Sequence, residues 1–208
     1  MEERNITERE SIELIASMIQ NSKRRMELGS GNVLISWGYV TTIVALIVGI
    51  GHLTTGHIEW LWLWFAIPAI GYPLHYFLGK RKERKELVKT AVDRYISGIW
   101  VTIGLFFATL MVICFIFGMN GLNAWGVMFL LTLPCCGFGC LATGIILKEW
   151  SLIAGGLISM ILGSLFMMCY VCRIDIFGYD IFAFALAFAL MMIVPGHIIN
   201  HKARKASC

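Results

Sequence analysis

Three histidines are spaced for metal chemistry. His197 and His201 stand one helical turn apart near the end of the last apolar stretch, and His75 stands at the corresponding end of the second. Imidazoles at i and i+4 project from one face of a helix, so a third from a neighbouring helix would complete a set able to hold Zn²⁺. No carboxylate accompanies them as a general base. The plainer reading is that they are interfacial polar groups, bonded to carbonyls that Pro73 and Pro195 leave free. A weaker set, His52, His57 and Glu59, surrounds the first short turn.

Cysteine offers the other chemistry. Cys169-Tyr170-Val171-Cys172 is a CxxC at the end of the fifth apolar stretch, where a membrane thiol oxidoreductase would place a redox pair, and Cys114 falls at similar depth on the third. On a helix, though, residues at i and i+3 are merely neighbours on one face, and cysteine is a common small apolar filler. Cys135, Cys136 and Cys140, beside Pro134 in the middle of the fourth stretch, read as packing residues. The sequence has no Gly-rich phosphate loop after a strand, no suggestive Ser/His/Asp order and no soluble catalytic domain. An enzyme is therefore not the leading reading, and no cofactor is expected.

The elements that must position these residues are six uncharged apolar stretches, at about 33–53, 58–78, 95–118, 123–147, 150–172 and 177–199. Each reaches the roughly 20 residues that a helix needs to cross a bilayer's hydrocarbon core. A chain of 208 residues that is 58% hydrophobic and 14% charged, with a mean hydropathy of +0.76, spends most of its length in such segments. The fold class expected is an all-α polytopic membrane protein. Its six transmembrane helices form three hairpins in a domain over 33–200, after a cytoplasmic amphipathic helix and linker over 1–32 and before a basic cytoplasmic tail over 201–208. The first apolar run follows about thirty polar residues, unlike a signal peptide, and is expected to remain as the first span.

Charge sets the orientation. Of the 17 Lys and Arg, all but Arg173 fall before the first span, between spans two and three, between four and five, or after six. Under the positive-inside rule both termini are cytoplasmic. Anionic headgroups account for the basic clusters, so direct nucleic-acid binding is not expected. Intramembrane transport chemistry usually needs ionisable groups at mid-span; none of the six stretches has one near its centre.

Residues 8–28 form a separate amphipathic pattern. Thr7 and Glu10 suit a capping box, and Ile12, Leu14, Ile15, Met18, Ile19 and Met26 recur at three- and four-residue steps. Gly29-Ser30-Gly31-Asn32 is expected to break this helix before span one. The stripe suits rest on the membrane surface or under the bundle; alternatively Ile12, Ile15 and Ile19 dock a cytoplasmic partner. Within the spans, all four prolines (Pro68, Pro73, Pro134, Pro195) lie in even-numbered helices, consistent with a degenerate, parallel hairpin repeat. Small residues recur every four positions at Cys136/Cys140/Gly144, Gly155/Ser159/Gly163, Ala183/Ala187 and Ala185/Ala189. Such stripes predict tight packing of spans four, five and six, and would equally suit a homo-oligomer.

The opening ESIELIASMIQNSKRRMELGSGNVLISWGY, the internal YISGIWVTIGLFF and the ending MMIVPGHIINHKARK resemble an uncharacterised family of small bacterial six-helix membrane proteins with a polar N-terminal amphipathic helix. Its most distinctive pieces are the GSGN of Gly29–Asn32 and the PGHIIN of Pro195–Asn200. The resemblance implies the bacterial inner membrane, and a regulatory or stress-linked role through proximity to winged-helix regulators; it brings no catalytic residues. The leading expectation is a non-catalytic sensor or anchor whose partners are the bilayer and a cytoplasmic regulatory protein. The alternatives are a small transporter for an uncharged or lipid-like substrate, and a redox or metal-dependent membrane enzyme.

Overall fold

The computed structural model describes residues 8–83, 91–174, 176 and 178–205, with side chains from Gly31 onward except at 58, 78–83, 91, 93 and 203. Thr7 of the expected capping box, the side chains of Ile12, Ile15 and Ile19, residues 84–90 of the 79–94 connection and the end of the basic tail lie outside the described residues.

Every regular element among the described residues is helical. Apolar segments without water must satisfy their backbone groups internally, and a helix does so within one segment. The elements are α1 (Glu8–Thr55), a 3₁₀ segment (Ile58–Phe65), α2 (Ala66–Glu83), α3 (Ala91–Met119), α4 (Gly126–Leu147), α5 (Trp150–Val171), α6 (Tyr179–Phe188), a π-helical segment (Ala189–Ile193) and α7 (Val194–Lys205). Among the described residues, five stretches are long and apolar enough to cross a membrane: Gly31–Thr55, Arg94–Met119, Gly126–Leu147, Trp150–Val171 and Tyr179–Lys202.

Two expectations need correction. The stretch at 58–78 is not one uniform helix. Its aromatic run, Ile58–Phe65, winds as 3₁₀ helix, and the Trp60 ring lies so close to Gly51 that a Cβ there would sit 2.4 Å from it. The α-helical remainder, α2, is 18 residues long and ends in Lys80-Arg81-Lys82-Glu83, so its length is not apolar throughout. The second correction concerns Gly29–Asn32, which does not break the chain's first helix: α1 is continuous over 48 residues. A glycine inside a helix costs only about 1 kcal/mol relative to alanine. Here the missing side chain at Gly31 admits a neighbouring helix. The first amphipathic stretch and the first span are one helix about 72 Å long.

Packing partly follows the small-residue stripes. α4 and α5 make the most extensive contact between two single elements among the described residues. A Cβ at Gly137 would lie 2.8 Å from the Gly156 carbonyl, one at Gly144 would meet Ile153, and one at Gly163 would come within 2.5 Å of Pro134. Span six, however, packs mainly on α1 rather than on α5. The two run antiparallel, with Gly49 against Ile181, Gly38 against Ile193 and Gly31 against Asn200. Far from that last crossing, Phe129, Phe166, Phe184 and Phe188 form one ring cluster that Trp64 meets edge to face at Phe129 and Phe184, with neighbouring centroids 4.8–6.1 Å apart. α3 is the least enclosed span, with 6% of its apolar window buried against 33–50% for the other four.

Candidate functional site

The histidines do not assemble as a metal centre. His75, His197 and His201 are each exposed, and among the described residues no three His, Cys, Asp or Glu side chains gather in metal-binding geometry. His197 instead meets α1: its Nε2 lies 3.2 Å from the Tyr39 hydroxyl, and the two rings sit edge to face at 6.1 Å. A tyrosine, rather than a proline-freed carbonyl, is its partner. At the first turn, His52 Nδ1 lies 2.9 Å from the His57 carbonyl, and the exposed His57 and Glu59 side chains approach to 3.5 Å. The Trp60 indole N–H donates to Thr55 Oγ1 at 2.9 Å. These contacts close a tight turn.

The CxxC lies at the end of α5. Cys169 is half-buried and Cys172 exposed, both as free thiols. Their backbones shape the helix terminus, with the Ile174 N–H donating to the Cys169 carbonyl and the Cys172 N–H to the Met168 carbonyl, both at 2.9 Å. Cys114 is buried and directs its thiol to the Ala124 carbonyl at 3.4 Å. Cys140 is fully enclosed.

What the structure does bring together is a polar junction at the end of the bundle where α1, α7 and the α4–α5 turn meet. Gly31 and Gly196 form its centre: a Cβ on Gly31 would lie 2.8 Å from the Gly196 carbonyl, and one on Gly196 would lie 3.0 Å from the Gly31 carbonyl. Beside them the Asn200 amide donates to Asn32 Oδ1 at 2.7 Å. The two segments that stood out in the sequence, Gly29–Asn32 and Pro195–Asn200, are therefore the two halves of one helix crossing.

The third member of the junction is Glu149. Lys148 closes α4 in the left-handed conformation, at φ 57°. The Glu149 N–H then reaches back to the Gly144 carbonyl at 2.9 Å, while its own carbonyl accepts from Leu152 and Ile153. α5 thus starts with no connecting loop beyond two residues. Glu149 opens α5 without capping it by its side chain, because the carboxylate turns to α7 and accepts from Lys202 Nζ at 2.6 Å. Its side chain is only 10% exposed, against 55% for that of Lys202. Buried carboxylates are costly unless paired, so this contact fixes α7 against the α4–α5 turn.

No motif in the sequence singles out Glu149 or Tyr39, or pairs Lys202 with Glu149 and Asn32 with Asn200. Glu149 carried one available signal: it is an acid in a two-residue connection, so it must lie at a helix end where neighbours crowd. The junction holds an amide pair, a phenol–imidazole pair and a carboxylate–ammonium pair. Such contacts hold the joined helices in one register. No family model matches this chain, and neither a curated protein nor a solved structure is significantly similar to it.

Proposed function

We propose that this protein is a non-catalytic sensor or anchor of the bacterial cytoplasmic membrane, acting with a cytoplasmic regulatory protein that docks on Ile12, Ile15 and Ile19. One observation carries the reading: α1 continues unbroken from Glu8 through the first span to Thr55. A helix that leaves the bundle without a break cannot lie along the membrane surface, and transmits rotation or tilt from the bundle to whatever it holds. Its exit point is gripped by α7 through Gly196 and Asn200, and α7 in turn is tied to the α4–α5 turn. Movement among the spans therefore has a route to the cytoplasmic arm.

The reading includes six crossings, arranged so that both termini face the cytoplasm. The 3₁₀ segment of eight residues followed by the apolar part of α2 extends roughly 37 Å, at about 2.0 Å per residue and then 1.5 Å. That exceeds the roughly 30 Å of hydrocarbon. An even number of crossings also keeps the lysines and arginines between spans two and three on the same side as those before span one.

The test is crosslinking in the native membrane, comparing the full chain with one lacking residues 1–28. A soluble partner recovered with the full chain only is the expected result. Identical, partner-free recovery from both chains would sink the reading.

A further inference from the structure

The last span is not a uniform helix. Between α6 and α7 the Val194 N–H bonds back five residues to the Ala189 carbonyl, and Ala189–Ile193 is wound as a π-helix. The next donor in that wider ladder would be the Pro195 nitrogen, which carries no hydrogen, so the π-turn ends there. A π-turn amounts to one extra residue within an α-helix. Everything after it is displaced by one position, a rotation of about 100° with a step of about 1.5 Å.

All the junction contacts made by α7 lie beyond that displacement. Were residues 179–205 wound as a regular α-helix, each place would be filled by the preceding residue. Pro195 would replace Gly196 against Gly31 and Ile35. Gly196 would replace His197 at Tyr39, Ile199 would replace Asn200 at Asn32, and His201 would replace Lys202 at Glu149. The first exchange forces α7 to stand off from α1, since even a Cβ at Gly196 would lie 2.6 Å from Ile35 Cγ1. The other three remove a polar partner or exchange it for one of different reach. The contacts are made or lost as a set, which gives the segment two discrete arrangements rather than a continuum.

Its surroundings suit rewinding. Gly155 presents no side chain to the π-segment, and a Cβ there would sit 2.7 Å from the Met191 Cα and 2.9 Å from the Leu190 carbonyl. The buried side chains of the segment are Met191 and Met192, unbranched and able to refill space in more than one way. We propose that Ala189–Ile193 is a register switch, and that its rewinding to α-helix releases α7 from α1 and from the α4–α5 turn. The proposal concerns the bundle alone and stands whether or not residues 8–28 dock a partner.

Two cysteine pairs read the two registers in membranes, with crosslinks mapped by mass spectrometry: Asn32→Cys with Asn200→Cys, and Asn32→Cys with Ile199→Cys. Each is made in the chain with Leu190 and in one with Leu190 deleted. The deletion removes the extra residue and leaves α7 where it now sits. With Leu190 present, both pairs are expected to crosslink, the 32–199 pair as a minor product of about 1–10%. Deletion should keep the 32–200 product and lower the 32–199 product at least about tenfold. A Leu190-containing chain that yields the 32–200 product alone overturns the proposal, as does a 32–199 yield indifferent to the deletion. Should the deleted chain fail to accumulate, Gly31→Ala in the Leu190-containing chain decides. It is expected to raise the ratio of 32–199 to 32–200 product, and an unchanged ratio overturns the switch.

Discussion

Gly31 and Lys148 test opposite sides of the same backbone rule. At Gly31 a methyl group would stand 2.3 Å from Asn200 Oδ1 and 2.8 Å from the Gly196 carbonyl, so Gly31→Ala should destabilise the folded bundle by about 1–3 kcal/mol. Thermal unfolding in detergent would register it as a lowered midpoint. Lys148 occupies a left-handed conformation that a side chain disfavours. Lys148→Gly removes that strain at the cost of a freer unfolded chain, and a gain of up to about 1 kcal/mol is expected in the same assay. The Glu149–Lys202 pair should respond asymmetrically. Lys202→Met strands a buried carboxylate, whereas Glu149→Gln leaves a neutral amide facing a largely exposed lysine. The first should cost about 1–3 kcal/mol more than the second; equal losses would show that water already solvates Glu149. In the span interior the ranking is set by packing. Ser159→Ala gives up a 2.9 Å bond to the Leu133 carbonyl, worth about 0.6 kcal/mol in membranes. Gly163→Leu, driven into Pro134, should exceed it severalfold.

At the scale of elements, the continuity of α1 has a direct test. Ser30→Pro interrupts the helix between its amphipathic part and its first span, at a cost of about 3 kcal/mol if the helix persists there. The substituted chain should insert at normal levels yet lose any partner-dependent output, as deletion of residues 1–28 would. Retained output would mean that the arm does not need to be rigid. The same helix shows what could and could not be read in advance. Long apolar runs announced six spans, and five of them stand among the described residues as helices long and apolar enough to cross a membrane, because hydropathy is a sum over residues and needs no neighbours. The expected break at Gly29–Asn32 failed because the local propensity of glycine was outweighed by a contact with Gly196, 165 positions further on. The 3₁₀ winding of Ile58–Phe65 follows from packing of Trp60 on Gly51, again a distant fit. The π-turn left no trace, since one extra residue in an uninterrupted apolar run changes no visible pattern. Among the candidate sites, Gly29–Asn32 and Pro195–Asn200 were each legible as unusual, but their pairing was not. The Cys and His pairs were conspicuous by type, yet their spacing placed them only as helix neighbours.

The whole molecule is a bundle closed by its ends. α4 with α5 forms one tight pair and α1 with span six the other, and the π-segment touches α5 through Gly155. α2 packs on α1, with Trp37 edge-on to Tyr72, and α3 leans mainly on α4 with most of its surface outward. The six-crossing arrangement predicts that reporters fused after Gly56, Gly121 and Arg173 report the outer side, and those after Lys85, Lys148 and Lys205 the cytoplasm. A fusion after Lys85 on the outer side would reduce the count to five crossings. The closure of α1 by α7 also imposes an order in time. The Asn32–Asn200 bond joins positions 168 residues apart, so at 5–20 residues per second the first span waits roughly ten to thirty seconds for its partner. Through that interval Gly31, Gly38 and Gly49 wait for their partners from span six, and the exit of α1 is gripped only when the last helix has been made. Docking at the arm, if it requires the gripped form, would thereby be reserved for finished protein.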